Sequence, residues 1–185
     1  EHPYGDIVGY GIQTDENGNK LVNENGLYLR TESPVVLGNI NPDFTSSFYN
    51  SLDFWNFSFN FLIDAKIGGE MFSGTNMYGT GYSGNLIETL EGREEWYTSE
   101  KAREEAGFTP EEWTPTGGYL AEGVFADGTV INGDDVSGQS NYLYINPFDY
   151  WHQFADWTNE IHEPFVYDAS FVKLREVSFS YKLPT

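Results

Sequence analysis

The sequence predicts an all-β fold built on unusually long antiparallel strands, and three observations support this. Aromatic residues make up 17% of the 185 residues and are accompanied by 20 glycines, a composition typical of β-rich chains. Apolar and polar residues alternate almost perfectly from 55 to 67. About 90 residues of acidic, mostly irregular sequence then precede the next strand-like run, far more than an ordinary loop.

Charge and composition exclude several classes of protein. The chain carries 29 acidic and 9 basic residues, a formal net charge of −20, so it lacks the basic patches that nucleic acids and anionic lipid headgroups require. It has no cysteine, which excludes disulfides and thiolate chemistry. No apolar stretch is long enough for a transmembrane helix. A hydrophobic content of 39% argues against a disordered chain.

The first segment, residues 1–38, is a predicted strand and turn region. Tyr4 to Ile12 is rich in Gly and Tyr and indicates a strand, which a polar turn at 15–20 and a short strand follow. The Asp/Asn-rich stretches 15–19 and 23–26 lack the ligand spacing of an EF-hand loop, so we interpret them as hairpin turns. Because the chain begins without a Met or a signal-like segment, we expect it to be a piece of a longer protein.

Residues 39–72 form a predicted β-hairpin. Its first strand follows Asp43, its turn is expected at Asp53-Phe54, and Gly68-Gly69 is expected to end its second strand. That second strand, 55–67, has thirteen residues, whereas strands of soluble domains have about five or six. A bilayer-crossing strand needs about 9–11 residues. Its apolar row is Trp55, Phe57, Phe59, Phe61, Ile63, Ala65 and Ile67.

Residues 73–164 are predicted to be a long acidic loop region with room for further strands. The stretch 88–135 alone has 13 acidic and 3 basic residues, a net charge of −10, which is too polar to cross a bilayer. Within this region we expect a short helix at 98–107, capped by Thr98 and ended by Gly107. A second helical start is expected at Thr109-Pro110.

Residues 165–184 contain the last predicted strand. Val177, Phe179 and Tyr181 alternate with polar residues. Lys173 and Arg175 interrupt this apolar row, so the basic pair either faces the interfacial region of a membrane or marks a β-bulge that reverses the alternation.

Long strands joined by a short turn on one side and a very long loop on the other are typical of outer-membrane barrels. The pattern therefore predicts a fragment of a large antiparallel transmembrane β-barrel with a long, partly helical extracellular loop. In this interpretation 1–38 is a barrel strand and turn region, 39–72 a transmembrane β-hairpin, 73–164 the extracellular loop and 165–184 a late barrel strand. The alternative is a long soluble β-sandwich in which the apolar row faces a second sheet.

Three stretches together resemble one family. The first joins 37–44, Leu-Gly-Asn-Ile-Asn-Pro-Asp-Phe, with Ile67-Gly68-Gly69, and the second is Thr-Leu-Glu-Gly-Arg at 89–93. The third and most specific, at 167–184, is similar to a "DASF-KLRE-S-SY-LP" signature. In this order and spacing they resemble the C-terminal part of the barrel of SusC/RagA-like TonB-dependent outer-membrane transporters.

The resemblance implies part of an active importer of oligosaccharides or peptides in the Gram-negative outer membrane. The implied partners are the remainder of the same barrel and its plug, a SusD-like surface lipoprotein, outer-membrane lipid, and the TonB complex through an N-terminal part that this chain lacks. The matching motif residues are expected to be structural, holding ion pairs and strand register. They are Asn39, Pro42, Asp43, Gly68, Gly69, Lys173, Leu174, Arg175 and Glu176.

We expect binding rather than catalysis. The three histidines are scattered without a catalytic or metal-binding spacing, so no enzyme activity, metal or cofactor is predicted. Aromatic side chains of the loop can stack on sugar rings or peptide side chains, or can pack the loop's own core. The candidates for contact with substrate or with the lid are Trp96, Tyr97, Trp113, Tyr119, Trp151 and Trp157. The alternative function is a secreted acidic β-sandwich module that binds carbohydrate through exposed Trp and Tyr.

Overall fold

The computed structural model describes residues 4–84 and 86–184, apart from the side chain of residue 83. Strands hold 36% and helices 22% of the chain, so the mainly-β class is confirmed. Over the described residues the sheets stay open, and none closes into a barrel. The chain divides into two compact units. Unit 1 is the described part of Glu1–Val8, Val36–Phe72 and Val166–Thr185, and unit 2 is that of Gly9–Val35 and Ser73–Phe165.

The strands are β1 (Asp6–Gly9), β2 (Leu21–Val22), β3 (Val35–Asn39), β4 (Phe44–Phe54), β5 (Phe57–Ile67), β6 (Glu70–Phe72), β7 (Val124–Phe125), β8 (Val130–Ile131), β9 (Asp134–Asp135), β10 (Val166–Asp168) and β11 (Phe171–Tyr181). The α-helices are α1 (Gly74–Tyr78), α2 (Arg93–Ala106) and α3 (Pro147–His152). A π-helical turn at Gly79–Ser83 and 3₁₀ turns at Ile87–Leu90, Pro110–Glu112 and Glu163–Phe165 complete the set. Among the described residues, no helix combines the length and the apolarity needed to cross a bilayer.

Unit 1 is centred on an antiparallel sheet of three strands in the order β11-β5-β4, each eleven residues long. Phe54 pairs with Phe57, so the hairpin turn is Trp55-Asn56. The turn expected at Asp53-Phe54 was therefore placed wrongly, two residues too early. Trp55 adopts a left-handed backbone conformation (φ +53°), which is uncommon for a residue other than Gly, so its place in a turn could not be read from its type.

A β-bulge interrupts β11. The pairing with β5 shifts between Leu174 and Glu176, leaving Arg175 as the extra residue. Of the two interpretations of the basic pair, the bulge is confirmed. Because a bulge reverses the alternation, Val172 and Leu174 lie on the same face as Val177.

The sheet has one apolar and one polar face, and the register defines both. The hydrophobic side chains of the apolar face are Phe44, Phe48, Leu52, Phe54, Phe57, Phe59, Phe61, Ile63, Ala65, Ile67, Val172, Leu174, Val177, Phe179 and Tyr181. None of them is buried, and the strand residues of the polar face are also open except Asp64. The sheet is thus a single layer without a core.

Unit 2 contains the hydrophobic core. Every buried hydrophobic residue among those described lies here, from Ile12 in its first segment to Phe165 at the end of its second. Residues 9–35, which we grouped with the barrel strands, thus supply core side chains such as Val22 and Tyr28 to the acidic unit. They also bring β2 into a parallel pair with β7. The region 73–164, expected to be a solvated loop, is therefore part of a packed unit.

Helix α2 begins at Arg93, so the start expected at Thr98 was wrong, whereas its end at Gly107 is confirmed. Glu94 and Glu95 in the first turn favour the earlier start because acidic side chains complement the helix dipole there. The Thr98 hydroxyl donates instead to the Glu94 carbonyl one turn back, at 2.9 Å.

Candidate functional site

The six predicted loop aromatics fall into two groups. Tyr97 and Trp157 are exposed, with 70% and 78% of their surface accessible. The other four, Trp96, Trp113, Tyr119 and Trp151, are half-buried. The structure does not bring the six together at one site.

Trp113 fastens one part of unit 2 to another. Its indole Nε1 donates to the Ser99 hydroxyl at 3.2 Å, and its ring centroid lies 5.8 Å from that of Phe108. Ser99 is buried on α2 and also accepts from the backbone N–H of Thr116. These contacts give Trp113 a structural role.

Tyr119 and Trp151 pack around Tyr150 in the core. The Tyr119 ring stacks on the Tyr150 ring with centroids 3.8 Å apart. The Trp151 ring packs edge-on against the Tyr150 ring at 5.0 Å between centroids. Burial raises the pKa of the Tyr150 phenol well above its usual value, and burial likewise raises the pKa of Tyr28. Both phenols are therefore neutral structural groups at physiological pH.

Trp157 belongs to a row of aromatic rings on unit 2, here called the aromatic strip: Phe148, His152, Tyr82, Tyr78 and Trp157. Successive ring centroids lie 5.2, 5.1, 6.0 and 6.3 Å apart in that order. Phe148, Tyr82 and Tyr78 expose 58%, 45% and 38% of their surfaces. An exposed row of aromatic rings on a folded unit makes the aromatic strip a candidate binding site.

Two short helical segments position the strip. Tyr78 ends α1, and the preceding Met77 anchors that helix in the core. A Cβ on Gly81 would lie 2.4 Å from the Cβ of buried Ala155, so only glycine allows the following turn to pack there. The Gly81 carbonyl also lies 3.0 Å from Nδ1 of His152 on α3.

A cleft of about 400 Å³ lies at the Phe148 end of the strip, here called the aromatic cleft. Its walls include Tyr82, Trp96 and Phe148, together with Arg93 and Asn146. Arg93, from the Leu-Glu-Gly-Arg motif, donates from Nε to the Thr89 carbonyl at 2.6 Å and from Nη2 to the Gly84 carbonyl. It thereby holds the loop that forms one wall.

Carboxylates surround the strip. Glu160 accepts a hydrogen bond from the Tyr78 hydroxyl at 3.1 Å and lies 3.6 Å from Nε2 of His162. Asp149 and Asp156 are close enough to His152 to interact with it electrostatically. Burial raises the pKa of Asp149, whereas hydrogen bonds from Thr158 lower the pKa of Asp156. With 21 acidic and 5 basic residues, unit 2 carries a net charge of −16.

In unit 1 the family-motif residues of the hairpin and of the last strand meet at one end of the sheet, here called the motif junction. The Asp43 N–H donates to the Ile67 carbonyl at 2.9 Å, and the Gly68 N–H donates to the Ser170 hydroxyl at 2.8 Å. Gly69 has φ +80°, and a Cβ on it would lie 2.9 Å from the Ile40 carbonyl oxygen, close to Pro42. The backbone of the 39–43 loop therefore rests directly on Gly68-Gly69. Asn39 anchors the loop by donating from its N–H to the Glu70 carboxylate at 2.7 Å.

The basic motif residues of β11 make contacts across the sheet. Arg175 Nη1 lies 2.6 Å from the Asp64 carboxylate, which also accepts from the Ser47 hydroxyl at 2.7 Å. Lys173 lies over the Phe171 ring at 4.5 Å, and Glu176 pairs with Leu62 across the ladder. Asp64 on β5 thus links all three strands, through its ion pair with Arg175 on β11 and its hydrogen bond from Ser47 on β4. Among the described residues, no group of three His, Asp or Glu side chains could hold a metal ion.

Four residues of the strip were missed from the sequence: Tyr78, Tyr82, Phe148 and His152. Each of the two pairs is separated by four residues, and in a helical segment that spacing places two rings on one face. This spacing could have been found in the sequence. Their meeting with Trp157 depends on long-range packing and could not.

The chain was compared with models of known protein families and with curated proteins. No family model matches it, and no curated protein matches it.

Proposed function

We propose that the chain is part of a TonB-dependent active importer of oligosaccharides or peptides in the Gram-negative outer membrane. It would work with a SusD-like surface lipoprotein, the plug and remainder of its barrel, and the TonB complex. The single-layer sheet of unit 1 carries this proposal: its two faces differ in polarity, and neither is covered.

Strand length supports a membrane-spanning role. Eleven residues at about 3.3 Å each extend about 36 Å, and a tilt of about 45° leaves about 26 Å along the membrane normal. The apolar band of outer-membrane barrels is about 25 Å tall. Each of β4, β5 and β11 thus has the length to cross it once.

The two faces have the chemistry of a lipid-facing and a lumen-facing surface. Phenylalanines dominate the apolar face, where lipid would stabilise them. The polar face contains the Asp64–Arg175 ion pair and a hydrogen bond from the Asn60 amide to the Ser178 hydroxyl at 3.1 Å. A wet lumen accommodates such groups, whereas hydrocarbon would not.

The open edges of the sheet imply further strands. Over the described residues, β4 and β11 each pair with β5 alone, so each has one unpaired edge. A bilayer offers no water to satisfy free backbone groups, and only closed barrels or helices satisfy them all. In the proposed arrangement, the remainder of the barrel pairs with these two edges.

The motifs and the loop surface support the family and the cargo. The first and third resembling stretches meet at the motif junction, and the second, through Arg93, shapes the aromatic cleft. Unit 2 would be extracellular, where the aromatic strip and cleft can meet the substrate or the lipoprotein lid. This role needs no catalytic residue.

The second candidate, a secreted acidic β-sandwich that binds carbohydrate, is favoured by the exposed rings of Trp157 and Tyr82. A sandwich buries its apolar row against a second sheet. The apolar face of unit 1 is not buried by any part of the described chain. We therefore prefer the importer.

The test is the native mass and location of the polypeptide, followed with an antibody raised against 88–135. We expect a band several times larger than 21.0 kDa in the outer-membrane fraction, with a mobility that shifts on boiling. A soluble band near 21.0 kDa with unchanged mobility would contradict the importer and favour the carbohydrate-binding module.

A further inference from the structure

We propose that the aromatic strip binds basic peptides, whose Lys or Arg side chains lie on its ring faces. The proposal deepens the proposed function, on which it rests for the role of the peptide as cargo. It selects peptides over oligosaccharides and basic peptides over acidic ones.

The ring faces are the first support. Four of the five residues of the strip expose more than a third of their surface, and successive ring centroids lie no more than 6.3 Å apart. A Lys or Arg cation is attracted to an aromatic face within about 6 Å of its centroid. Unit 2 already contains such a contact, since the Arg30 guanidinium lies 4.0 Å from the centre of the Tyr10 ring.

The charge around the strip is the second support. Glu160 contacts Tyr78 directly, and Asp149 and Asp156 are close enough to His152 to interact with it electrostatically. A cation near Tyr78 would have the Glu160 carboxylate beside it, and the net charge of −16 on unit 2 would attract it from solution. An acidic ligand would be repelled by the same groups. A neutral sugar could stack on the rings and donate hydroxyl hydrogen bonds to the carboxylates, but the net charge of the unit would not attract it from solution as it attracts a cation.

The strip is held in place before any ligand arrives. The Tyr78 hydroxyl is bonded to Glu160, and the His152 ring to the Gly81 carbonyl. Both flanking helices are anchored in the core, α1 through Met77 and α3 through Tyr150. Binding therefore requires little ordering of the protein side. The aromatic cleft next to Phe148 has room for an apolar side chain of the same peptide.

The experiment is isothermal titration of the full chain in detergent micelles with three probes: tetralysine, tetraglutamate and the neutral oligosaccharide maltohexaose. We expect binding of tetralysine that weakens as salt is added, because exposed charges are screened. Tetraglutamate and maltohexaose should not bind measurably.

Matched variants locate the site. Trp157→Ala and Tyr82→Ala should each weaken tetralysine binding about 2- to 5-fold, the range expected for one exposed cation–aromatic contact. Tyr97→Ala removes an equally exposed ring of unit 2 outside the strip and should change nothing. Glu160→Gln keeps an acceptor for Tyr78, removes the charge, and should both weaken binding and reduce its salt dependence.

Three results would overturn the proposal. The first is maltohexaose binding that neither salt nor Glu160→Gln changes, and the second is the absence of tetralysine binding. The third is a loss of tetralysine affinity in Tyr97→Ala as large as that in Trp157→Ala or Tyr82→Ala. The importer is tested separately by membrane location and mass. If the protein is heat-modifiable and in the outer membrane but does not bind tetralysine, the importer proposal stands and the peptide-site proposal is wrong. If the protein is soluble and binds tetralysine, the peptide-site proposal stands and the importer proposal is wrong.

Discussion

At the scale of single residues, buried tyrosines define the chemistry of the unit 2 core. Tyr28 and Tyr150 meet at 6.0 Å between ring centroids, and the Tyr28 hydroxyl donates to the Glu122 carbonyl at 3.1 Å. A phenolate in this environment would lose hydration, so burial raises both folded-state pKa values. Because deprotonation of either phenol would destabilise the core, the stability of the core depends on pH in the alkaline range.

The first prediction is a loss of stability at high pH. A raised folded-state pKa gives a contribution that is complete below the unfolded value of about 10 and declines above it, by about 1.4 kcal/mol per pH unit for each phenol. Tyr150→Phe should therefore reduce the slope of unfolding free energy against pH above about 10. Urea unfolding of the full chain in detergent, with exposed Tyr97→Phe as control, measures this slope. Equal slopes in all three proteins would contradict the prediction.

The second prediction concerns the motif junction. Gly69→Ala should destabilise the protein by about 2–4 kcal/mol, because it combines left-handed backbone strain with a clash against the Ile40 carbonyl. Gly128→Ala is the matched control, since Gly128 has φ +79° but nothing within 4 Å of its added Cβ. It should cost only about 1 kcal/mol. The temperature of the mobility shift on gels and the thermal unfolding curve report the difference, and similar losses would show that the close approach is not needed.

At the scale of elements, the hairpin of β4 and β5 forms a sheet with β11, and the proposed function requires that the apolar face of this sheet contact lipid. The third prediction is that Phe61→Arg, near the middle of β5, hinders outer-membrane assembly at a cost of about 2–4 kcal/mol. Phe61 packs between Phe48 and Phe59 on the apolar face, with ring centroids 5.9 and 5.8 Å away.

The control for this variant is Asn60→Arg, which places the same charge on the polar face one residue away. It should lose one hydrogen bond to Ser178 and little more. The amount of heat-modifiable protein in the membrane fraction compares the two. Comparable defects on both faces would contradict a lipid-facing assignment of the apolar face.

The sequence was informative where interactions are local. Alternation located β5 and β11, and Lys173 with Arg175 indicated the bulge, because each pattern reflects which face a neighbouring side chain occupies. Gly107 indicated the end of α2 for a similarly local reason. The turn at Trp55 was missed because a left-handed backbone is uncommon for tryptophan. The start at Arg93 was missed because Gly92 before it provides no capping side chain, although Glu94 and Glu95 favour a start there.

The candidate site was predictable only in part. Trp157 and Trp96 stood out by residue type, but their neighbours Tyr78 and Phe148 come from segments about 70 residues apart in the chain. Nothing local to any of these segments indicates that packing brings them together. The core role of Tyr119 and Trp151 was hidden for the same reason.

At the scale of the whole molecule, charge and packing are divided unequally. Unit 2 carries −16 of the net −20 and all the buried hydrophobic residues of the described chain, whereas unit 1 carries −4. Several carboxylates of unit 2 accept hydrogen bonds from backbone N–H groups and from Asn, Ser and Thr side chains of the turns they stabilise. Those whose pKa is lowered by such bonds are Asp15, Glu112, Asp135 and Asp156.

The fourth prediction is a loss of stability in unit 2 at acidic pH. A lowered folded-state pKa stabilises the fold above the unfolded value of about 4, and this contribution disappears as pH falls further. Asp156→Asn keeps an oxygen acceptor for Thr158 without a titrating group, so the variant should lose less stability between pH 5 and about 3. Near-ultraviolet circular dichroism, which reports the packed tyrosines, measures the transition. A steeper loss in Asp156→Asn than in the parent would contradict the prediction.

The interleaved construction of unit 2 has a consequence for biosynthesis. The backbone N–H of Ile12 donates to the Glu163 carboxylate at 2.7 Å, and the carbonyl of Tyr10 accepts from His162. During synthesis, about 150 residues must therefore be added after Tyr10 and Ile12 before their hydrogen-bond partners exist. Contacts so distant in sequence slow folding and leave apolar surface exposed in the meantime. A chain that stops before Phe165 cannot complete this core, so the apolar residues of the early segment Gly9–Val35 stay exposed until the end of unit 2 is made.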